Sequence, residues 1–308
     1  MRFRELWEHQ LRHNPVYRRY VDQLGAHEAA DPPLLPVEAF RDARIYAAGS
    51  HPPELEFRSS GTTTMRRSVH LVAHADLYRR AIRDGMACFY DLDSLVFGAY
   101  APGYDRNPQS SLMWMLRELV GNGDPLNRFL VPGDALDDGW LAAVAASGRR
   151  LMLFGAAFGL LDLAEHHPVR LPEGSLIMET GGMKTHRRDI TRTDMHRILA
   201  DGFGLPGHAI HSEYGMTELL SQAYDTGEGR FRTPPWLHVS IRDSQDPLQV
   251  VDLGREGLIG IIDEMNRWSC PFILTGDKGR MHPDGSFEVL GRWNPDQLRG
   301  CNFMLEED

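Results

Sequence analysis

Apolar positions recur at roughly helical spacing at the start of the chain, at Trp7, Leu11, Tyr17 and Tyr20, and predict two short helices over residues 3–24 broken at Asn14-Pro15. A Pro-rich hinge, Asp31 to Pro36, leads into one helical turn at Val37–Phe40. From residue 55 short apolar runs alternate with longer periodic ones. Strands are predicted at Leu55–Arg58, Ser94–Tyr100, Arg128–Val131, Arg150–Phe154, Ser175–Met178 and Ala209–Ser212. Helices are predicted between them, over residues 74–89, 111–120 and 137–147, then from Phe154 on to Glu165, and over 191–201. This alternation implies a layered α/β fold with ligands collecting at the carboxyl ends of strands, where loops 59–64, 179–184 and 213–218 fall. After Pro234-Pro235 the pattern turns to short strands, at Trp236–Ile241, Leu248–Val251, Leu258–Asp263, Pro271–Thr275 and Phe287–Leu290, and predicts a β-rich subdomain packed on the α/β body. The expected organisation is one domain over 1–308: a helical segment 1–48, an α/β body 49–230, a β-rich subdomain 231–290 and a hinge-like tail 291–308.

Composition narrows the function. The 308 residues carry 33 basic and 43 acidic side chains, a formal net charge of −10, which argues against nucleic-acid binding and against an anionic membrane surface. Lysine occurs only at Lys184 and Lys278, so a mechanism that needs one has two candidates. The three cysteines, Cys88, Cys270 and Cys301, form no Cys-x-x-Cys pair and imply neither a disulfide framework nor a zinc ribbon. The charged start lacks a signal-peptide core, and the longest apolar run, Leu151 to Leu161, is too short to span a bilayer, so a soluble cytoplasmic protein with no membrane insertion is expected.

Gly-x-x-x-x-Gly-Lys-Ser/Thr, Gly-x-Gly-x-x-Gly, Gly-x-Ser-x-Gly and His-Glu-x-x-His are all absent. Ser59-Ser-Gly-Thr-Thr-Thr64 offers five hydroxyls and a glycine that admits close backbone approach, which suits a triphosphate; such turns also serve as solvated loops or caps. Tyr214-Gly-Met-Thr-Glu218 combines a flat face for a nucleobase, a hydroxyl for phosphate and a hard oxygen ligand for Mg2+. On chemistry alone it reads equally as a capped helix start around a buried tyrosine.

Tyr-Gly-x-Thr-Glu resembles the adenylate-binding signature of the acyl-adenylate-forming ligases. Ser59 to Thr64 is similar to their phosphate loop, Thr275-Gly-Asp277 to their ribose-binding Thr-Gly-Asp, and Gly291-Arg292 to their hinge. A closer resemblance is to the acyl-protein synthetases of the bacterial luminescence fatty-acid reductase. It is carried by Pro36 to Phe40, Glu179 to Lys184, His211 to Tyr224, Pro234-Pro-Trp236, and Leu290-Gly-Arg through Arg299-Gly-Cys-Asn302. These stretches cover nearly the whole chain; phenylacetate–CoA ligases are more distantly similar. The resemblance implies the layered large-domain fold, with ATP and Mg2+ as cofactors. It implies that Ser59, Ser60, Gly61, Thr62 and Thr63 hold the β- and γ-phosphates, that Gly181 and Gly182 border the adenine, and that Tyr214, followed by Gly215, stacks on it. Thr217 would bind the α-phosphate, Glu218 the Mg2+, and Asp277 the ribose hydroxyls with Arg292 nearby.

Members of that superfamily continue into a small lid domain carrying a catalytic lysine; the sequence ends at Asp308, just past the hinge motif, and a chain without the lid is expected. Lys184, after the adenine-side glycines, is then the leading group to steady charge on the α-phosphate, with Lys278 the lesser one. Cys301 sits in Arg299-Gly-Cys-Asn, seven residues before the end, where a lone cysteine is ordinarily a small packed residue. It matches the placement of the acyl-carrying cysteine of the luminescence synthetases. The expected reaction is activation of a carboxylic, fatty, acid as acyl-AMP, then transfer to Cys301 and on to a partner: a reductase, a carrier protein or coenzyme A. The alternatives are direct transfer to coenzyme A or a carrier protein without a covalent enzyme stage, and a non-catalytic adenylate-binding subunit. Cys88 and Cys270 are expected in the core. His211 could touch the site or be a satisfied structural histidine, Arg187 and Arg188 could clamp pyrophosphate or lie in a solvated loop, and Gly155 to Leu161 could line an acyl tunnel or pack as an ordinary helix.

Overall fold

The break at Asn14-Pro15 divides α1 (Arg4–His13) from α2 (Pro15–Leu24). Asn14 Oδ1 accepts from the Tyr17 N–H at 3.1 Å, its Nδ2 donates to the Ser269 carbonyl at 3.2 Å, and Pro15 takes the first helical position, where no N–H is needed. The structure, a computed structural model, describes residues 3–49, 51–59, 67–104, 107–131, 136–181 and 190–293. Along these follow β1 (Leu35–Pro36), α3 (Ala39–Asp42), β2 (Leu55–Arg58), β3 (Val69–Val72), α4 (Ala75–Ala87), β4 (Leu95–Tyr100), α5 (Ser111–Val120), β5 (Arg128–Phe129) and α6 (Asp138–Ala146). Next come β6 (Arg150–Ala156), α7 (Ala157–His166), β7 (Leu176–Thr180), α8 (Arg192–Phe203), β8 (Ile210–Tyr214) and β9 (Ala223–Asp225), then β10 (Leu237–Arg242), β11 (Glu256–Asp263), β12 (Phe272–Met281) and β13 (Phe287–Arg292).

The α/β body is a six-stranded sheet of order β5-β4-β6-β7-β8-β9, parallel except for β9. Its strands are apolar on both faces, as a sheet covered by helices on each side requires. Leu95, Phe97, Met152, Phe154 and Met178 pack with α4 and α5 on one face, and Val96, Leu151, Leu153 and Ile177 with α6, α7 and α8 on the other. A second sheet runs β1-β12-β11-β10, and β13 pairs with β12 beyond β1. The long β12 thus meets parallel β1 at Ile273 and Leu274 and antiparallel β13 from Asp277 onward. Trp7, Tyr17, Phe40 and Ile45 from the first segment share one core with Leu237, Ile261 and Phe272 of this sheet.

Several elements depart from the periodicity reading. Leu248–Val251 is not a strand: Asp243 Oδ1 accepts from the Gln245 and Asp246 N–H groups and closes a turn, leaving a single bridge between Arg242 and Val250. β12 runs six residues past Thr275, because β11 and β13 supply partners out to Met281. β7 reaches Thr180 and β8 reaches Tyr214, since the ladder between them continues through Thr180–Glu213. The short β1, β3 and β9 carry too few residues for a periodic signal. Cys88, expected in the core, is exposed; the buried stripe of α4 runs Tyr78, Ala81, Ile82, Gly85 and Met86, and Cys88 lies off it. Cys270 is fully buried. Among the described residues no helix is long and apolar enough to cross a membrane.

Gly155 pairs with Tyr100 of β4 at the end of the parallel ladder; a Cβ there would overlap the Tyr100 carbonyl oxygen. Gly155→Ala is expected to lower stability by about 1–3 kcal/mol, read by urea unfolding, because backbone of a central strand cannot yield as a side chain can.

Candidate active site

β8 ends at the carboxyl edge of the α/β sheet, one strand in from the antiparallel edge strand β9, and its alternation splits the signature between two faces. Tyr214 turns toward the second sheet. Its ring packs 5.8 Å from Phe231 and 5.9 Å from Phe287, and its hydroxyl donates to Asp277 Oδ2 at 2.9 Å. Burial, then the Asp277 charge, hold that hydroxyl well above its ordinary pKa, so it is a donor at every working pH. Asp277 Oδ1 pairs with Arg292 Nε at 3.0 Å, from the neighbouring position on β13. Sequence-distant Tyr214, Asp277 and Arg292 therefore form one cluster. The carboxylate keeps lone-pair capacity for further donors such as ribose hydroxyls. Lys278 follows Asp277 in the strand and points to the opposite face.

After Tyr214 the chain forms no helix; residues 215–222 are an irregular loop, most of it buried. Its backbone groups are met by side chains from elsewhere. His70 Nδ1 lies 2.7 Å from the Thr217 carbonyl, and Asn266 Nδ2 donates to the Glu218 carbonyl at 2.8 Å. Asp263 accepts from the Leu220 and Ser221 N–H groups at 2.9 Å each and from the Ser221 hydroxyl at 2.7 Å. The Glu218 carboxylate takes a hydrogen bond from the Ser68 hydroxyl. Ser59 exchanges hydrogen bonds with Ser68 across the base of the hairpin, so the Ser59 loop begins beside Glu218.

Sequence reasoning missed His70, Ser68, Asp263 and Asn266. His70 is fully buried, and burial lowers its pKa to about 4 against two accepting neighbours, Asn266 and the Thr217 carbonyl. An isolated histidine alternating with Val69 and Leu71 in a strand was the available signal. His211 is a satisfied structural histidine: Nδ1 meets the Tyr90 hydroxyl at 2.8 Å, Nε2 the His208 carbonyl at 3.2 Å, and burial pushes it down to about 4.

On the other face of β8, Glu213 and Gly215 join Thr180, Gly181 and Thr217 around a cleft that reaches Tyr78, Ser111 and Met115 on α4 and α5. Gly181 holds φ +80°, which favours glycine at this turn. A Cβ at Gly215 would meet Glu213 Oε1, so the end of the Glu213 side chain would have to shift to admit one. Gly155 to Leu161 does not reach the cleft: Ala157, Leu160 and Leu161 are packed in the core on the α7 face. Ser60, Gly61, Thr62, Thr63, Gly182, Lys184, Arg187, Arg188 and Cys301 lie outside the described residues.

The family model described as acyl-protein synthetase, LuxE, matches residues 142–308. Among solved structures, ATP-bound MatB from Rhodopseudomonas palustris is similar at TM-score 0.56 and 18% identity, covering 80% of this chain and 49% of that one. An open conformation of 2-hydroxyisobutyryl-CoA ligase in complex with 2-HIB-AMP and CoA gives TM-score 0.67 at 12% identity, over 99% of this chain and 79% of that one. O-succinylbenzoate coenzyme A synthetase (MenE) from Bacillus subtilis, in complex with AMP, gives 0.52 at 17%, over 79% and 50%. The chain spans about half the length of the MatB structure. No curated protein matches the sequence. These likenesses identify the architecture as the large-domain fold of adenylate-forming ligases.

Asp263→Ala removes a buried acceptor from three donors of the loop and is expected to cost about 3 kcal/mol or more in urea unfolding. Glu213 gives a pH test. Burial, with a smaller push from Glu179 and opposition from Thr180, raises its pKa from 4.5 to about 7, so the folded protein holds this proton more tightly than the unfolded chain. That contribution is complete below pH 4.5 and is lost as pH rises through about 7. Glu213→Gln should therefore gain stability relative to wild type between pH 5 and pH 8, by up to roughly 3 kcal/mol. A pH-independent difference would show that Glu213 is not held protonated.

Proposed function

The chain belongs to the acyl-protein synthetase (LuxE) family, and from that premise we propose that it activates a carboxylic acid with MgATP as acyl-AMP and hands the acyl group to Cys301 and then to a partner. The observation that carries the reading is the meeting of Tyr214, Asp277 and Arg292 at the end of β8, beside Thr217, Glu218 and the start of the Ser59 loop. Asp277 would accept from the ribose hydroxyls, and Tyr214, Gly181 and Gly182 would border the base. Ser59, Ser60, Gly61, Thr62 and Thr63 would take the outer phosphates, and Thr217 the α-phosphate.

Glu218 fits a Mg2+ ligand. It is a hard oxygen donor fixed by Ser68, and burial raises its pKa, a cost that a divalent cation beside the carboxylate offsets. Bound Mg2+ would neutralise phosphate charge. Lys184 would steady the charge that grows on the α-phosphate as the substrate carboxylate attacks and pyrophosphate leaves. Attack of the Cys301 thiolate on the acyl carbonyl then releases AMP and leaves a thioester. A reductase, a carrier protein or coenzyme A would receive the acyl group. The 2-hydroxyisobutyryl-CoA ligase likeness favours coenzyme A as the acceptor in a second reading, without the thioester on the enzyme.

Carboxylate-dependent ATP–pyrophosphate exchange tests the first half-reaction. Exchange is expected with at least one acid class, and Glu218→Gln should lower it about a hundredfold. Hydroxylamine-labile acyl label on the intact protein, lost in Cys301→Ala while exchange persists, supports the covalent stage. Full acyl transfer by Cys301→Ala supports direct transfer to coenzyme A or a carrier, and a folded protein with no exchange on any acid points to a non-catalytic subunit.

A further inference from the structure

The β2–β3 hairpin has two ends. One leads into the Ser59 loop; the other opens where Glu54 enters β2 and the chain leaves β3 toward His74. Leu55 pairs with Val72 there, and the Glu54 N–H donates to the Val72 carbonyl at 2.9 Å. His51 lies just upstream, in His51-Pro-Pro-Glu54. One ligand atom from each of His51, Glu54 and His74 falls within 4.8 Å of the other two. The two imidazole rings are 4.7 Å apart, centre to centre, and tilted by 37°. Glu54 Oε2 accepts from the Ala75 N–H at 2.8 Å, and Oε1 lies 3.9 Å from His74 Nδ1. One carboxylate oxygen is therefore held by the start of α4, and the other faces an imidazole at a distance too long for a hydrogen bond.

The surroundings hold these three side chains in place. Pro52 and Pro53 fix two φ angles between His51 and Glu54. The Tyr46 hydroxyl donates to the His51 carbonyl at 2.8 Å. Trp268 meets the His74 ring edge-on at 5.8 Å, and its carbonyl accepts from the Ala47 N–H at 2.8 Å. His51 and Glu54 are exposed and His74 is half-buried, so an ion has a path in. Two imidazoles and a carboxylate suit a borderline divalent cation such as Zn2+, whereas Mg2+ and Ca2+ favour oxygen ligands. Zinc bonds of about 2.0–2.2 Å put tetrahedral ligand atoms about 3.4 Å apart. Glu54 Oε1 and His74 Nδ1 need to close by about 0.5 Å, a movement within reach of half-exposed side chains.

We propose that His51, Glu54 and His74 bind a zinc-type divalent cation, with water completing its coordination, and that the ion clamps the open end of the β2–β3 hairpin to the start of α4. Roughly 16 Å of extended chain separates Glu54 from Ser59, so this site is distinct from the one around Glu218. The clamp acts on the strand from which the Ser59 loop departs. It is independent of the adenylation reading, because its ligands take no part in that chemistry.

The test is calorimetric titration of zinc chloride into the tag-free, chelator-treated full chain, with Co2+ absorption as a second readout. Wild type is expected to bind Zn2+ in the presence of excess Mg2+, to give Co2+ the visible bands of a nitrogen- and oxygen-ligated ion, and to melt a few degrees higher with Zn2+. His51→Ala and His74→Ala should each weaken binding roughly a hundredfold. Glu54→Gln keeps an acceptor for the Ala75 N–H and should still weaken it about tenfold or more. His9 and His13 on α1, with ring centres 4.8 Å apart, are another candidate chelate, and His13→Ala should bind as wild type does. His51 is exposed, so its variant is expected to fold even where His74→Ala does not. No binding by wild type, binding that survives His51→Ala, or binding lost in His13→Ala overturns the proposal.

Discussion

The signature loop is irregular backbone in a buried place, and its polar groups must be satisfied there or the fold loses several kcal/mol. Helix and strand partners are unavailable, so side chains do the work. His70 and Asn266 face the Thr217 and Glu218 carbonyls, and Asp263 gathers the Leu220 and Ser221 N–H groups. These side chains come from β3, from the end of β11 and from the turn after it. The loop is therefore the joint between the parallel sheet that carries β8 and the antiparallel sheet that carries Asp277. Tyr214 of one sheet and Asp277 of the other hold a fixed relation because the loop between them is pinned from both sides.

Strand alternation then assigns the two sides of the joint different tasks. Tyr214 and Asp277 share one side with the buried rings of Phe231 and Phe287, which meet Tyr214 tilted and edge-on. Glu213 and Gln222 share the other with Thr180 and the helix layer of α4 and α5. Glu213 and Tyr214 are adjacent in the chain, yet the pleat puts their side chains on opposite faces of the sheet. Gly215 follows directly at the end of β8, and a larger residue there would displace the end of the Glu213 side chain.

The legible part of this was local. Tyr214-Gly-Met-Thr-Glu218, Ser59 to Thr64 and Thr275-Gly-Asp277 are contiguous, and their order along the chain was readable without a structure. The alternating strands and helices of the α/β body were legible for the same reason. The supporting side chains were not. Ser68, His70, Asp263 and Asn266 carry no motif, and contacts such as Ser68–Glu218 join residues 150 positions apart. The turn at Asp243 likewise overrode an apolar run that looked like a strand, because exposed Leu248 and Val250 have no sheet to cover.

Three buried carboxyls near the loop, Glu213, Glu218 and Asp263, are all raised by burial, so a raised pKa does not by itself distinguish structure from chemistry. Their donors do. Asp263 is surrounded by four from its own chain, at the Leu220, Ser221 and Met265 N–H groups and the Ser221 hydroxyl, which use up its lone pairs and make it a tie. Among the described residues Glu218 takes a side-chain hydrogen bond from Ser68, and Glu213 takes one from Thr180. A carboxylate has about four acceptor positions, so Glu213 and Glu218 retain capacity that Asp263 has spent. Burial of such under-coordinated acids is tolerable in the free protein because a proton can neutralise them. It becomes favourable when a ligand brings the missing donors or a cation.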